Sequence, residues 1–166
     1  AIVPTATEEP TRSATEFAVL AELARADGSN QEAIDFYDQA ISGDPTNPEF
    51  YIRVIDLLVK ESDSERAVER AEQATVLDPE NDAVWTAAAE AYLAEGNRLN
   101  DLGNPNAANL QYANAAKAAR KAININPNNA TALAYAAGGT ILQGDPDKYE
   151  QAQTFADDAV RLEPNN

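Results

Sequence analysis

Carboxylates are the reactive side chains this chain carries in quantity. It has 28 Asp and Glu against 12 Lys and Arg, a formal charge of −16, and neither His nor Cys in 166 residues. Paired carboxylates can exchange protons or hold a cation. Without His or Cys, however, the chain lacks the commonest nitrogen and sulfur metal ligands, the usual general base and the thiol nucleophile. No disulfide framework exists either. Asp145, Asp147 and Glu150 in GDPDKYE come nearest to a calcium set, but their spacing does not match an EF-hand loop. The other acid pairs fall at helix caps and on helix surfaces. The expectation is therefore no catalytic residue, no cofactor, no metal site and no enzyme. Lys and Arg read as forming no cluster, and the net charge would repel a nucleic-acid backbone or an anionic membrane. It suits a soluble surface or a preference for basic partners.

The elements that position these charges are repeated. ISGDPTNPEF, TVLDPENDAVW, ININPNNATAL and RLEPNN share one form, and Pro45 and Pro79 lie 34 residues apart. Five residues before each Pro stands Ala40, Ala74, Ala122 or Ala159, and seven before that Ala33, Ala67, Ala115 or Ala152. Phe17, Tyr51, Trp85 and Leu133 recur early in each unit. Gly28, Gly96 and Gly144 fall at a mid-unit turn, with Ser62 substituting once. Small residues let paired helices approach, and the large ones fill the space between pairs. On that reading Trp85→Ala should cost about 3–5 kcal/mol. Ser13 with Glu16, Ser29 with Glu32, Thr46 with Glu49 and Ser62 with Glu65 have capping-box spacing. Asn104-Pro105 and Asp145-Pro146 read as caps before a first-turn Pro. Asn129-Ala130-Thr131 matches a glycosylation acceptor, but coincides with an expected N-cap.

This pattern resembles the tetratricopeptide repeat family over residues 14–166. The resemblance implies an all-α, right-handed superhelical solenoid of four hairpins, eight helices in all: 14–47, 48–81, 82–129 and 130–166. The third unit is 14 residues longer than the first two, which predicts about two added turns on each of its helices. Leu99, Leu102, Leu110 and Tyr112 are expected to zip the tips around a Gly103-Asn104-Pro105 turn. The resemblance also implies a groove lined by the first helices. Glu22, Asp56 and Glu90 form one row with Gly138, and Ala18, Ile52, Thr86 and Ala134 another, with Arg53, Leu93 and Tyr135 nearby. Members that hold acidic chaperone tails use Lys, Asn and Arg in these rows. This chain lacks that clamp, so a basic or apolar peptide would suit it better.

The ends carry the second candidate surface. Residues 1–13, AIVPTATEEPTRS, read as an extended arm. It either folds back on its own first hairpin or clasps a neighbour. The last helix carries Tyr149, Phe155, Val160 and Leu162, more apolar surface than one partner helix covers. Ile2, Val3, Tyr149, Phe155, Val160 and Leu162 are thus the expected assembly surface, for head-to-tail stacking of copies and possible filaments. A trimmed domain with further repeats, or an adaptor binding a partner peptide, remains the alternative. No apolar run is long enough to span a bilayer, and no signal-peptide pattern opens the chain. The chain contains no Met. A removed leader would imply an extracytoplasmic home; trimming would imply nothing.

Overall fold

The computed structural model describes residues 12–163, which form eight α-helices and one 3-10 turn, with no strand among them. The helices are α1 (Ala14–Ala26), α2 (Asn30–Gly43), α3 (Pro48–Lys60), α4 (Ser64–Leu77), α5 (Asp82–Asp101), α6 (Pro105–Ile125), α7 (Ala130–Ile141) and α8 (Tyr149–Leu162). Each helix packs on its sequence neighbour. The first helices of successive pairs also touch, α3 on α5 and α5 on α7. The result is an all-α solenoid of four helical hairpins.

Alanine sets the spacing. Ala33, Ala67, Ala115, Ala40, Ala74 and Ala122 are fully buried, and Ile34, Val54, Ile55, Leu57, Leu58 and Val84 fill the space they leave. The phase aromatics do a second job. The Tyr51 hydroxyl donates to the Pro45 carbonyl at 3.1 Å, and Trp85 Nε1 donates to the Pro79 carbonyl at 2.8 Å. Each ring therefore ties its helix to the preceding interhairpin turn, as well as packing beside the core.

The start signals differ in part from the spacing argument. Ser13 and Glu16 form the reciprocal capping box. The other three pairs do not. Pro48 occupies the first turn of α3 and moves the cap to Asn47, while Thr46 is held by Asp44 Oδ1. Ser62 adopts φ 63°, the left-handed turn position filled by Gly28 and Gly144 elsewhere, so Asp63 precedes α4 instead. Ser29 precedes α2 without a side-chain cap bond. The recurrent cap is the Asn two residues after each Pro. Asn47, Asn81 and Asn129 accept from backbone N–H groups of α3, α5 and α7 at 2.9–3.1 Å. Asn129 also donates to Asp82 and Thr86, which commits both ends of its amide.

The third hairpin is elongated: α5 has 20 residues and α6 has 21, against 13 or 14 in the first two hairpins. Gly96 therefore lies inside α5, and the positive-φ turn moves to Gly103. A Cβ at position 96 would stand 2.5 Å from the Tyr112 ring, so the missing side chain makes room for that ring. The tip is not zipped as expected. Tyr112 is buried and Leu99 partly covered, but Leu102 is 68% and Leu110 60% exposed. Leu102 lies beyond the last turn of α5. Leu110 lies about 200° around α6 from Tyr112, so the two cannot meet one partner helix. The base of the extension is tied by Glu95, which accepts from Ser64 Oγ at 2.8 Å and from Arg98 at 2.7 Å.

Candidate functional site

Two surfaces gather the expected site residues: the face of the first helices and the two open ends of the array.

On the first-helix face, α1, α3 and α5 carry Glu22, Asp56 and Glu90, but much of this charge is neutralised from within. Glu22 accepts from Arg25 at 2.6 Å and from the Tyr37 hydroxyl. The Tyr37 bond, then Arg25, holds its carboxyl below the usual range. Arg53 pairs with Glu49 and Lys60 with Asp56, each at 2.7 Å. Both bridges lie within one helix and are exposed, so each contributes about 0–1 kcal/mol. Glu90 differs. Burial, then the nearby Asp56 carboxylate, pushes its carboxyl up. The Tyr135 hydroxyl lies against it, and burial followed by that carboxylate pushes the phenol up as well.

Two hollows open on this face. One, of about 270 Å³, is lined by residues including Ile52, Asp56, Thr86, Glu90, Asn129 and Tyr135. Thr86 is engaged on both sides, donating to the Asp82 carbonyl at 2.7 Å and accepting from Asn129 at 3.0 Å. Leu93 stands beside Gly138, away from the residues lining that hollow. The other hollow, of about 420 Å³, lies between α1 and α3 and includes Ala18, Val19, Glu22, Leu23, Phe50 and Arg53.

The open ends are apolar. Leu23, Leu57, Ala91 and Gly139 occupy the same phase in the four hairpins. Leu57 and Ala91 are 0% exposed and Gly139 is buried, whereas Leu23 is 58% exposed. Val19, on the same side of α1, is exposed too. At the other end Val160 shares its phase with Ile41. Ile41 is 7% exposed and Val160 61%. Val160 lines a hollow of about 230 Å³ with Ala130, Ala134, Ala137, Ala156, Ala159 and Glu163.

The other expected assembly residues scatter. Phe155 turns inward and packs against the core. Tyr149 and Leu162 are partly exposed at opposite ends of α8 and do not line that hollow. Ile2 and Val3 lie outside the described residues. Val19 and Leu23 were missed, although the 34-residue phase linking Leu23 to Leu57 marks them. A basic patch was missed as well. Lys117, Arg120 and Lys121 fall within five residues of α6, a helix without a single acid.

No group of three or more Asp or Glu among the described residues is arranged to hold a metal ion. Asp145 instead accepts from the Asp147 backbone and pairs with Lys148 at 3.3 Å. No described helix is long and apolar enough to cross a membrane.

This architecture is the tetratricopeptide-repeat fold. The structure is similar to that of TTC0263, a thermophilic tetratricopeptide-repeat protein of Thermus thermophilus. The TM-score is 0.71 at 20% identity, over 92% of this chain and 75% of that one. It also resembles MamA of MSR-1, with a TM-score of 0.66 at 16% identity over 95% of this chain and 81% of that one. MamA of AMB-1 gives 0.65 at 16% over 93% and 75%. Identities this low define the fold and nothing finer. No family model matches the chain, and no curated protein does.

Proposed function

We propose that this chain is a non-catalytic scaffold that assembles with itself, the hind face of one copy receiving the front face of the next. The observation that carries this reading is the matched exposure at the two ends. Every internal junction buries the phase position of Leu57, and the first hairpin exposes it at Leu23. The small side chains of Ala134, Ala137, Ala156 and Ala159 leave space beside Val160 that a Leu or Val side chain can enter. The two open faces are thus the two halves of a contact the array already makes three times within itself. Such a contact is heterologous and builds rings or filaments. Each copy carries a charge of −16, so added salt strengthens the contact by screening the repulsion. The test is mass against protein concentration by sedimentation. Association that grows with salt and is lost in Leu23→Asp supports the reading. A monomer at every concentration and salt level sinks it. Deleting residues 1–11 asks separately whether that segment contributes.

A second reading is favoured by the hollow around Glu90, which suits a basic or apolar peptide from another protein. Glu90→Lys would then abolish capture of that peptide. Unchanged capture would remove the hollow from consideration.

A further inference from the structure

The chain's charge is not evenly spread, and the unevenness lies on two second helices. α6 carries Lys117, Arg120 and Lys121 and no acid over 21 residues. Only Lys121 has an ion pair, with the exposed Glu80 at 3.1 Å. Lys117 and Arg120 have none among the described residues. α2 is the reverse. It carries Glu32, Asp35 and Asp38 and no base. Arg66 and Arg70 occupy Asp38, at 3.1 and 2.7 Å. Glu32 and Asp35 have no ion pair among the described residues.

The side chains are spaced for a helix-on-helix contact. The outer stripe of α6 runs Leu110, Ala113, Lys117 and Lys121, of which Leu110 and Lys117 are exposed and the others partly so. The exposed stripe of α2 runs Glu32, Asp35, Gln39 and Ser42. Both sets repeat at three and four residues, the spacing of one helix face. Laid antiparallel, they pair Glu32 with Lys121 and Asp35 with Lys117. The same register sets Gln39 opposite the small Ala113, and Ser42 opposite Leu110 near the protruding tip. Within one chain α2 and α6 belong to the first and third hairpins and do not pack on each other. The two stripes are therefore not matched within one chain, and a second copy offers each its complement.

We propose that the outer stripe of α6 docks antiparallel on α2 of a second copy of this chain, a lateral contact distinct from end-to-end stacking and not dependent on it. It is heterologous, charge-matched and small. It therefore sets the side-by-side register of copies and holds weakly when acting alone.

The absence of Cys makes a direct test possible. Gln39→Cys and Ala113→Cys variants are mixed under mild oxidation, and disulfide-linked heterodimers are followed by mass. The inference expects this pair to link faster than either variant links to itself. It should also link faster than Gln39→Cys mixed with Gln151→Cys, which places the second thiol on the exposed side of α8 opposite Val160. Lys117→Glu with Lys121→Glu in the Ala113→Cys background should remove the excess rate. Adding Glu32→Lys with Asp35→Lys to the Gln39→Cys partner should restore it, an outcome that general loss of folding cannot imitate. A 39–113 rate equal to the control, or one unmoved by charge reversal, overturns the inference. Val160→Asp in both partners separates the two readings. A 39–113 link that survives Val160→Asp stands on its own, whereas its loss shows a by-product of end stacking and overturns the lateral contact.

Discussion

Interior and terminal hairpins set their residues in the same phase, yet they differ in what covers them. Leu57 and Leu23 are both leucines, 34 residues apart, near the C-terminal end of a first helix. One is sealed and the other is 58% exposed. On the second helices Ile41 is 7% exposed where another hairpin follows, and Val160, in the same phase of the last hairpin, is 61% exposed. A solenoid hairpin cannot bury its apolar face alone, so what differs between interior and end is the neighbour. Among the described residues the phase position is therefore uncovered at the ends, whereas in the groove row Glu22 and Asp56 already pair with Arg25 and Lys60.

The largest effect tests that contrast directly. Leu57→Ala should cost about 2–5 kcal/mol in denaturant unfolding of dilute protein, whereas Leu23→Ala should cost under about 1 kcal/mol. Equal losses would mean that Leu23 is covered in the isolated molecule. Next comes Gly139→Ala. A Cβ there meets the backbone of α6, 2.7 Å from Ala116 N and 2.9 Å from the Tyr112 carbonyl. Despite the better helix propensity of Ala, this change should cost about 1–3 kcal/mol by forcing α6 and α7 apart. Ser62→Gly works in the opposite direction. Ser62 holds φ 63° where the first and last hairpins use Gly, so the change should raise stability by about 1 kcal/mol.

The smallest predicted effect sets two carboxylates of α5 against each other. Arg98, then Ser64, holds the Glu95 carboxyl below its ordinary value. Its contribution is present above the unfolded-state pKa and is lost as pH falls through the lower folded value. Glu90 is shifted up by burial and by Asp56. Its contribution is complete below the unfolded-state pKa and is lost as pH rises through the higher folded value. Glu95→Gln should therefore flatten acid unfolding and lower stability at neutral pH. Glu90→Gln should leave neutral stability unchanged or improved. Urea midpoints across acid to neutral pH read both.

Much of this architecture is legible in the sequence, because the repeat places the same residue types where the same packing recurs. The two-heptad insertion translated into seven added residues on each of α5 and α6. What spacing alone did not give was direction. Capping-box spacing is common by chance, and a first-turn Pro or a left-handed turn overrides it, as at Asn47 and Ser62. Phe155 looked like surface because α8 is apolar on more than one side, but Phe155 packs against the core while Val160 lies open. The α6 cations escaped notice because they are few in a chain dominated by acids. Their significance comes from a helix that carries no acid beside them.

The central claim is that the front and hind faces are halves of one contact. Sedimentation equilibrium of Leu23→Asp and Val160→Asp, separately and mixed, tests it most directly. Each variant keeps one sound face. Each alone should be monomeric at salt levels where the wild type associates, and the equimolar mixture should form a one-to-one heterodimer that grows no further. Variants that associate like the wild type, or a mixture that stays monomeric, would contradict it.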